Sequence, residues 1–220
     1  MEQTTLALFI HELRNQCVYT EAAFRVFNQS IEQQISAGVF FAAQATLLSA
    51  SQISGLLWPL RARARKRGED LRKALQLPEK HALNDKRLSS IWEHGDEKLE
   101  DWIGMTKGQK VVFDHVGTLA SVSEIEVPDS NVYRLYDPST TVFLYRGDGY
   151  KMQAIADAIT DVYARVTTLH KAMFPEQVAS EDASAAPIPV KEATPKEPAK
   201  KKATKAGTSK HKNKTRKTKK

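Results

Sequence analysis

The sequence contains a single cysteine, Cys17, which excludes an internal disulfide framework and a cysteine-rich zinc site. It also lacks a glycine-rich phosphate loop and internal repeats. The first residues, MEQTTLALFIHELRNQ, carry no basic segment ahead of an apolar stretch, so the sequence does not predict a secretory signal peptide. These features favour a protein of the reducing cytoplasm.

Basic residues are distributed unevenly along the chain. The 220 residues hold 33 Lys and Arg against 26 Asp and Glu. Of these, 13 basic and 4 acidic residues lie in 181–220, which leaves 20 basic and 22 acidic residues in 1–180. The body of the protein is therefore nearly neutral, and the isoelectric point of about 9.4 comes from the C-terminal segment.

The C-terminal segment, residues 175–220, is predicted to be a disordered basic tail. Beyond Phe174 it has no aromatic residue and cannot bury enough apolar surface to offset the entropy of ordering. Its cations, represented by Lys200, Lys201, Lys202 and Arg216, suit contact with phosphates, because each neutralised phosphate releases a counterion. Without aromatic side chains to stack on bases, we expect binding to RNA or DNA without sequence specificity. The alternative is a solubilising arm. The stretch PAKKKATKA (198–206) is similar to the lysine-rich arms of histone-like bacterial proteins.

The pattern of apolar residues predicts a mainly α fold. Apolar residues recur at three- and four-residue steps over five segments, about 4–34, 35–58, 64–76, 84–104 and 151–173. Between about 108 and 150 the pattern changes to short runs of β-branched and aromatic residues, at 110–116, 132–136 and 141–145. Turn sequences lie at 137–140 and 146–149. We expect a domain over 1–174, formed by a bundle of four to five helices with a small antiparallel β insertion.

The second helical segment is open to two interpretations. Residues 35–60 carry no charge and are followed by several arginines, which would suit a transmembrane helix. However, seven of the 26 residues are Ser, Thr or Gln, and amides such as that of Gln44 are costly in hydrocarbon. A buried central helix is therefore the favoured interpretation, and no membrane association is predicted.

The segment 84–102 carries the candidate catalytic residues Arg87, Glu93 and His94. An arginine can bind a phosphate through a forked pair of hydrogen bonds, and a histidine can transfer protons near neutral pH. On one helix Arg87 and His94 would share a face about 10 Å apart. Such a pair could cleave RNA by attack of the 2′-hydroxyl without a metal. The alternative is a surface helix with solvated charges.

A second cluster of cations follows the second helical segment. Seven basic residues lie within 61–73, and the candidate phosphate-binding residues among them are Arg61, Arg63, Arg65, Lys66, Arg67 and Arg72. Functionally they would form a phosphate-facing patch. The alternative is a solvated helix face in which Glu69, Asp70 and Glu79 neutralise part of the charge.

Metal and cofactor sites are not predicted. Glu93, His94 and Glu97 have a spacing that suits metal ligation on a helix. The sequence contains no matching ligand pair elsewhere, so we expect neither a metal nor a cofactor.

Three segments carry a resemblance to a known family: LLWP (56–59), RGEDLRKAL (67–75) and LSSIWEHGDEKLEDW (88–102). Together they resemble a group of bacterial proteins in the HEPN superfamily. This resemblance implies a four- or five-helix bundle, a homodimer and, in many members, a metal-independent ribonuclease with an Arg-x(4–6)-His motif. Arg87 and His94 match that spacing, and Arg67 and Arg72 match the resemblance as well.

This chain departs from the HEPN pattern at Ser89 and Ser90, where an Arg-Asn pair is expected. Either Arg87 has replaced the motif arginine, or the site has degenerated. The sequence therefore favours an HEPN-like nucleic-acid-interacting protein, active or not as a ribonuclease. The alternative is a non-catalytic helical module for protein–protein interaction.

Overall fold

The computed structural model of the chain describes residues 1–122 and 127–175. Within them six α-helices and four β-strands follow one another along the chain. The helices are α1 (Gln3–Glu32), α2 (Ser36–Leu57), α3 (Arg65–Leu75), α4 (Lys86–Ser89), α5 (Gly95–Thr106) and α6 (Met152–Met173). The strands are β1 (His115–Val116), β2 (Arg134–Asp137), β3 (Val142–Tyr145) and β4 (Asp148–Lys151). The mainly α fold with a β insertion is confirmed, and the predicted tail lies outside the described residues from position 176 onward.

The two longest helices, α1 and α2, pack against each other as a helical hairpin. Only residues 33–35 connect them, a length typical of antiparallel neighbours. Gly38, in the first turn of α2, permits close approach, because a Cβ atom there would collide with the Ser30 side chain of α1. The core between them is formed by fully buried apolar residues, among them Phe24, Phe27, Leu47 and Ile53.

Helix α2 is the central helix of the bundle, as predicted. It packs against α1, α3 and α4. By length and composition it could cross a membrane, but 61% of its most apolar 18-residue window is buried inside the fold. Its buried apolar residues thus belong to a protein core, and some of its polar side chains find partners there. The Ser54 hydroxyl, for example, donates to the backbone carbonyl of Leu83 at 2.5 Å.

Residues 84–104 do not form the single helix that the sequence predicts. Asp85 caps α4 by accepting from the Arg87 backbone N–H at 2.8 Å, and α4 ends after one turn. His94 then adopts a left-handed conformation with φ of 51°, and α5 begins at Gly95.

Side chains from other parts of the chain satisfy the carbonyls freed by this break. Arg146 donates to the Ile91 carbonyl at 2.8 Å, and Lys98 donates at 2.7 Å to the Ser90 carbonyl, which also accepts from the Glu93 backbone N–H at 3.1 Å. Because these donors replace helical hydrogen bonds, the break is stable. The prediction of one continuous helix is wrong, because the periodicity of residues 84–104 contains no information about Arg146, a hydrogen-bond donor more than 50 residues further along the chain.

The β insertion is a four-stranded sheet in the order β1-β2-β3-β4. Strands β2, β3 and β4 are antiparallel, whereas β1 pairs with β2 in parallel, so the sheet is mixed. Strand β4 was not predicted. Its first residues have the composition of a turn, but the turn is confined to Arg146 and Gly147, both with positive φ, as a tight two-residue hairpin requires.

The sheet packs on the helical hairpin through aromatic residues. The ring of Tyr136 on β2 lies 4.8 Å from that of Phe27 on α1. Phe143 on β3 lies 6.4 Å from Phe40 on α2. All four residues belong to the main hydrophobic core. The sheet is therefore continuous with the bundle, and its β3–β4 hairpin reaches the α4–α5 break through Arg146.

Candidate nucleic-acid interface

The predicted cationic cluster lies where α2 ends and α3 begins, and its members divide into two groups. Arg67 and Arg72 are directed inward. Arg67 Nη2 donates to the Gly55 carbonyl at 2.9 Å, and Arg72 Nη1 donates to the Leu57 carbonyl. Both carbonyls belong to the last turn of α2, where helical donors are missing and the helix dipole attracts positive charge. These two arginines therefore cap α2.

Packing holds the two capping arginines in place. The Arg67 guanidinium lies 5.6 Å from the centre of the Phe9 ring, and that of Arg72 lies 5.9 Å from Trp58. Arg72 also forms an ion pair with Glu79 at 2.9 Å, and its side chain is only 14% exposed. Arg72 is thus a structural residue whose charge is already neutralised by partners within the chain.

The other group, Arg61, Arg63, Arg65 and Lys66, is exposed to solvent. Arg61, Arg63 and Arg67 line a cavity of about 240 Å³, which we call the basic groove. Its lining residues are Gly55, Pro59, Leu60, Arg61, Arg63, Ala64, Arg67, Ser89 and Glu93. Three arginines and one carboxylate, that of Glu93, thus line the groove, which carries a local excess of positive charge.

Arg67 also leaves a buried donor unsatisfied in the wall of the basic groove. Its Nε atom is inaccessible to solvent and has no hydrogen-bond partner within the described part of the chain. A buried N–H without an acceptor costs on the order of 1–3 kcal/mol. An anion in the groove would offer oxygen acceptors to the exposed guanidinium groups of Arg61 and Arg63.

A second cavity extends the positive surface beyond the basic groove. Its volume is about 390 Å³, and three cations, Arg65, Arg72 and Lys86, line it together with two carboxylates, Glu69 and Glu79, so its excess of positive charge is small. It shares Pro59 and Leu60 with the basic groove, so the two cavities flank the same turn. Lys66 lies outside both cavities. It pairs with Asp70, whose hydrogen bond and charge raise the pKa of the Lys66 ammonium group.

Ser89, at the position where the predicted HEPN resemblance implies an arginine, joins α4 to α2. Its hydroxyl lies 2.6 Å from that of Ser54 and donates to the Asp85 carbonyl at 3.2 Å. Ser89 lines the basic groove together with Glu93. Arginine at position 89 would add one more cation to this groove; in this chain the positive charge comes from Arg61, Arg63 and Arg67.

Arg87 lies outside the basic groove and is held by carboxylates. Its Nε and Nη2 atoms donate to the two oxygens of Asp85 at 3.3 and 2.8 Å, and Nη1 lies 3.8 Å from Asp148. Burial favours the neutral form of Asp85, but the hydrogen bonds from Arg87 outweigh it and lower the pKa of that carboxyl group. The same pairing raises the pKa of Arg87.

Arg87 lines a different cavity, of about 440 Å³, which we call the aromatic cleft. Its lining residues are Arg87, Ser90, Ile91, Lys98, Asp101, Trp102, Met105, Tyr145, Arg146, Asp148 and Tyr150. The cleft lies between the α4–α5 segment and the β3–β4 hairpin. The sequence did not point to the hairpin residues, although the run YRGDGY (145–150) sets two aromatic residues and an arginine beside a turn.

His94 lines neither the basic groove nor the aromatic cleft. Its side chain is 70% exposed, and Nδ1 lies 3.5 Å from the Glu97 carboxylate. Because the α4–α5 break separates the two residues, Arg87 and His94 do not share a helix, and within one chain neither cavity contains both. Glu93, the third candidate catalytic residue, belongs to the basic groove.

Three comparisons with known proteins add no relatives. No family model, no curated protein and no solved structure matches the chain. In residues 1–122 and 127–175, no group of three His, Cys, Asp or Glu side chains is arranged to hold a metal ion. The remaining candidate residues, Lys200, Lys201, Lys202 and Arg216, lie outside the described residues.

Proposed function

We propose that this protein binds nucleic acid without sequence specificity, and that the basic groove contacts the sugar-phosphate backbone. The observation that carries the proposal is the exposure of Arg61 and Arg63 at one cavity, whose lining also includes the capping residue Arg67 and a single carboxylate, Glu93. Arginines present forked donors that match phosphate geometry. Contacts to phosphates position a protein on a strand but carry no sequence information.

The tail contributes affinity to the same ligand. The 13 basic residues of 181–220, against 4 acidic ones, are suited to neutralising phosphates along RNA or DNA. Kinship with the HEPN superfamily belongs to this proposal. It is supported by the helical bundle around the α1–α2 hairpin, and by the placement of Arg67 and Ser89 in one groove. The homodimer and the cytoplasmic location stay predictions.

The proposal is binding rather than cleavage. Arg87 is engaged by Asp85, and His94 pairs with Glu97 at the surface. Neither residue lines the groove that carries the positive charge. Within one chain neither the basic groove nor the aromatic cleft therefore contains both His94 and Arg87.

Fluorescence anisotropy with 20-nucleotide RNA and DNA at several salt concentrations tests the groove. The double variant Arg61→Ala, Arg63→Ala should lower affinity and reduce the slope of log K against log salt by about 1.4–1.8, because each lost phosphate contact removes about 0.7–0.9. The matched control is Lys73→Ala, an exposed cation of α3 that lines neither cavity. An equal slope for the double variant and the wild type would refute the proposal that the basic groove contacts phosphates.

Two further measurements test the tail and the absence of cleavage. Replacing Lys200, Lys201 and Lys202 by Gln in the full chain should reduce the same slope by about 2–3. Labelled RNA incubated with the protein and EDTA should stay intact. Cleavage that disappears in His94→Ala would replace the binding proposal with a metal-independent ribonuclease.

A further inference from the structure

The aromatic cleft presents an apolar surface that the described residues leave uncovered. Its cavity of about 440 Å³ has a floor of buried apolar and aromatic side chains, those of Ile91, Trp102, Tyr145 and Tyr150. At its edge the Met105 side chain is 60% exposed, and Phe113, which packs 5.4 Å from the Trp102 ring, is 47% exposed. Large apolar side chains that are exposed together mark an interaction surface.

The floor of the cleft is held in place by its own contacts. The Trp102 indole N–H donates to the Ser130 carbonyl at 2.8 Å, and its ring lies 5.1 Å from that of Tyr133. Tyr133 in turn packs 5.7 Å from Tyr145, and the Arg146 guanidinium lies 4.4 Å from the centre of the Tyr145 ring. A site built in this way needs little ordering of its own side chains when it binds a ligand.

The polar atoms at the cleft suit a ligand that offers carbonyl oxygens and one cation. Lys98 uses one of its three ammonium hydrogens on the Ser90 carbonyl, which leaves two for a ligand. Nη1 of Arg87 lies 3.8 Å from Asp148, beyond hydrogen-bond distance. Asp101 and Asp148 add two carboxylates to the lining, and these accept hydrogen bonds from a cation.

The chain itself contains a segment with this chemistry, formed by Pro187, Ile188, Pro189, Val190 and Lys191. Beyond Pro175 the only other large apolar residue is Val178. Proline has no N–H and favours the extended polyproline II conformation, in which no internal hydrogen bond occupies the backbone carbonyls. Proline-rich segments of this kind bind grooves lined by aromatic side chains.

We propose that residues 187–191 dock in the aromatic cleft of the same chain. The apolar side chains of 187–190 cover the floor, and the backbone carbonyls of the segment accept from Lys98 and Arg87. Lys191 pairs with Asp101 at the edge of the cleft. The contact involves no residue of the basic groove, and its tests contain no nucleic acid. Failure of the groove proposal therefore leaves this proposal unaffected.

The length of the intervening chain permits the contact within one molecule. Strand β4 lines the cleft through Asp148 and Tyr150, and α6 begins directly after it at Met152 and leads away over 22 residues, a length of about 33 Å. Pro187 follows Met173, the last residue of α6, by 14 residues, and these span up to about 46 Å when extended. The segment can therefore return to the cleft along α6.

Charge complementarity supports the same occupant. Residues 96–101 of α5 hold four carboxylates and one lysine. All four carboxylate residues are exposed, and one of them, Glu97, lies 3.5 Å from His94. Residues 191–202 hold five lysines and two glutamates. Because Asp101 lines the cleft, a segment docked through Lys191 brings the lysines that follow it to the acidic face of α5.

Paramagnetic broadening in the full-length protein tests the contact. Ala193→Cys provides a site for a nitroxide label beside the segment, because Cys17 is 1% exposed and a buried thiol is inert. The indole N–H signal of Trp102 should be lost to broadening and should return when the nitroxide is reduced. Ile188→Ser, Val190→Ser should restore the signal without a change of charge. A Trp102 signal that the label does not affect, or that is equally broadened in the serine variant, would overturn the proposal.

A mixed sample separates docking within one chain from docking between two copies. Isotope-labelled protein without nitroxide is mixed with unlabelled protein that carries the nitroxide at Ala193→Cys. The Trp102 signal should then stay sharp. Broadening in the mixture would assign the segment to the cleft of a second copy and would overturn docking within the same chain.

A fluorescent peptide of residues 184–194 tests whether the cleft is the receptor. The full-length Ile188→Ser, Val190→Ser variant should bind it at least about fivefold more tightly than the wild type, whose tethered segment competes at an effective concentration on the order of millimolar. Adding Met105→Arg should abolish binding, and the control Ile103→Arg should not. Both residues are at least half exposed, so neither change disturbs the core, and only Met105 lines the cleft. Equal binding by wild type and serine variant, or binding that survives Met105→Arg, would reject the site.

Discussion

The substitution Arg72→Ala tests whether the arginines near α3 divide into some that stabilise the fold and others that bind phosphate. Arg72 donates to the Leu57 carbonyl at the end of α2, and its side chain is only 14% exposed. We expect this substitution to destabilise the fold while leaving the salt dependence of nucleic-acid binding almost unchanged. Arg63→Ala, at an exposed position of the basic groove, should do the reverse.

The magnitude follows from the contacts that Arg72 makes. A hydrogen bond from a charged group contributes about 1.5–3 kcal/mol, and the Leu57 carbonyl would lose its donor. The ion pair with Glu79, whose side chain is 71% exposed, adds about 0.5 kcal/mol at most. Contact with the Trp58 ring adds about 0.5 kcal/mol. The free energy of unfolding should therefore fall by about 3 kcal/mol, which lowers Tm by about 6–12 °C in a domain of this size.

Urea unfolding, monitored by tryptophan fluorescence, gives the change in the free energy of unfolding, and a thermal melt gives the change in Tm. Arg72→Lys should recover only part of the loss, because an ammonium group cannot replace the forked guanidinium at both Leu57 and Glu79. Arg63→Ala should stay within about 0.5 kcal/mol of the wild type. A loss below about 1 kcal/mol for Arg72→Ala, or a loss equal to that of Arg63→Ala, would refute the capping role.

Three further predictions concern the core and the hairpin. Burial lowers the pKa of His81 despite the opposing carboxylate of Asp161, 3.6 Å away. The unfolded chain therefore takes up a proton first as the pH falls below about 6.5, and acid lowers the free energy of unfolding. In urea titrations at several pH values, the free energy of unfolding of His81→Phe should decrease less with falling pH than that of the wild type. Parallel plots of this free energy against pH for the two proteins would contradict the prediction. Gly147→Ala should lower the free energy of unfolding by about 1–2 kcal/mol, because φ is +84° and the new Cβ would lie 3.1 Å from Ser130 Cα. The control, Gly104→Ala in open space on α5, should instead stabilise by about 0.5–1 kcal/mol. Cys17 is 1% exposed, and burial raises the pKa of its thiol, so an aromatic disulfide reagent should label it only at the rate of unfolding. Fast labelling of the folded protein would place Cys17 outside the core.

Much of the bundle could be predicted from the sequence because its signals are local. The periodicity of α1, α2, α3 and α6 places their ends within about two residues of the observed ones, since amphipathic helices bury one face whatever their neighbours are. Strands β2 and β3 and the turn between them were predicted for the same reason. Strand β4 was missed because its first residues, Asp148 and Gly149, have turn composition and become a strand only through pairing with β3.

The sequence by itself determined the helical framework, the near neutrality of the body and the number of cations available near α3 and in the C-terminal segment. Only the tertiary structure decided which of those cations are free. Arg67 and Arg72 are used by the end of α2, whereas Arg61 and Arg63 remain at the surface of a groove. The break between α4 and α5, and with it the separation of Arg87 from His94, likewise depends on Arg146 from the sheet. The physical reason is that a long polar side chain donates to whichever carbonyl or carboxylate the fold brings near it. The order of residues alone does not specify which of these acceptors lies within hydrogen-bond distance.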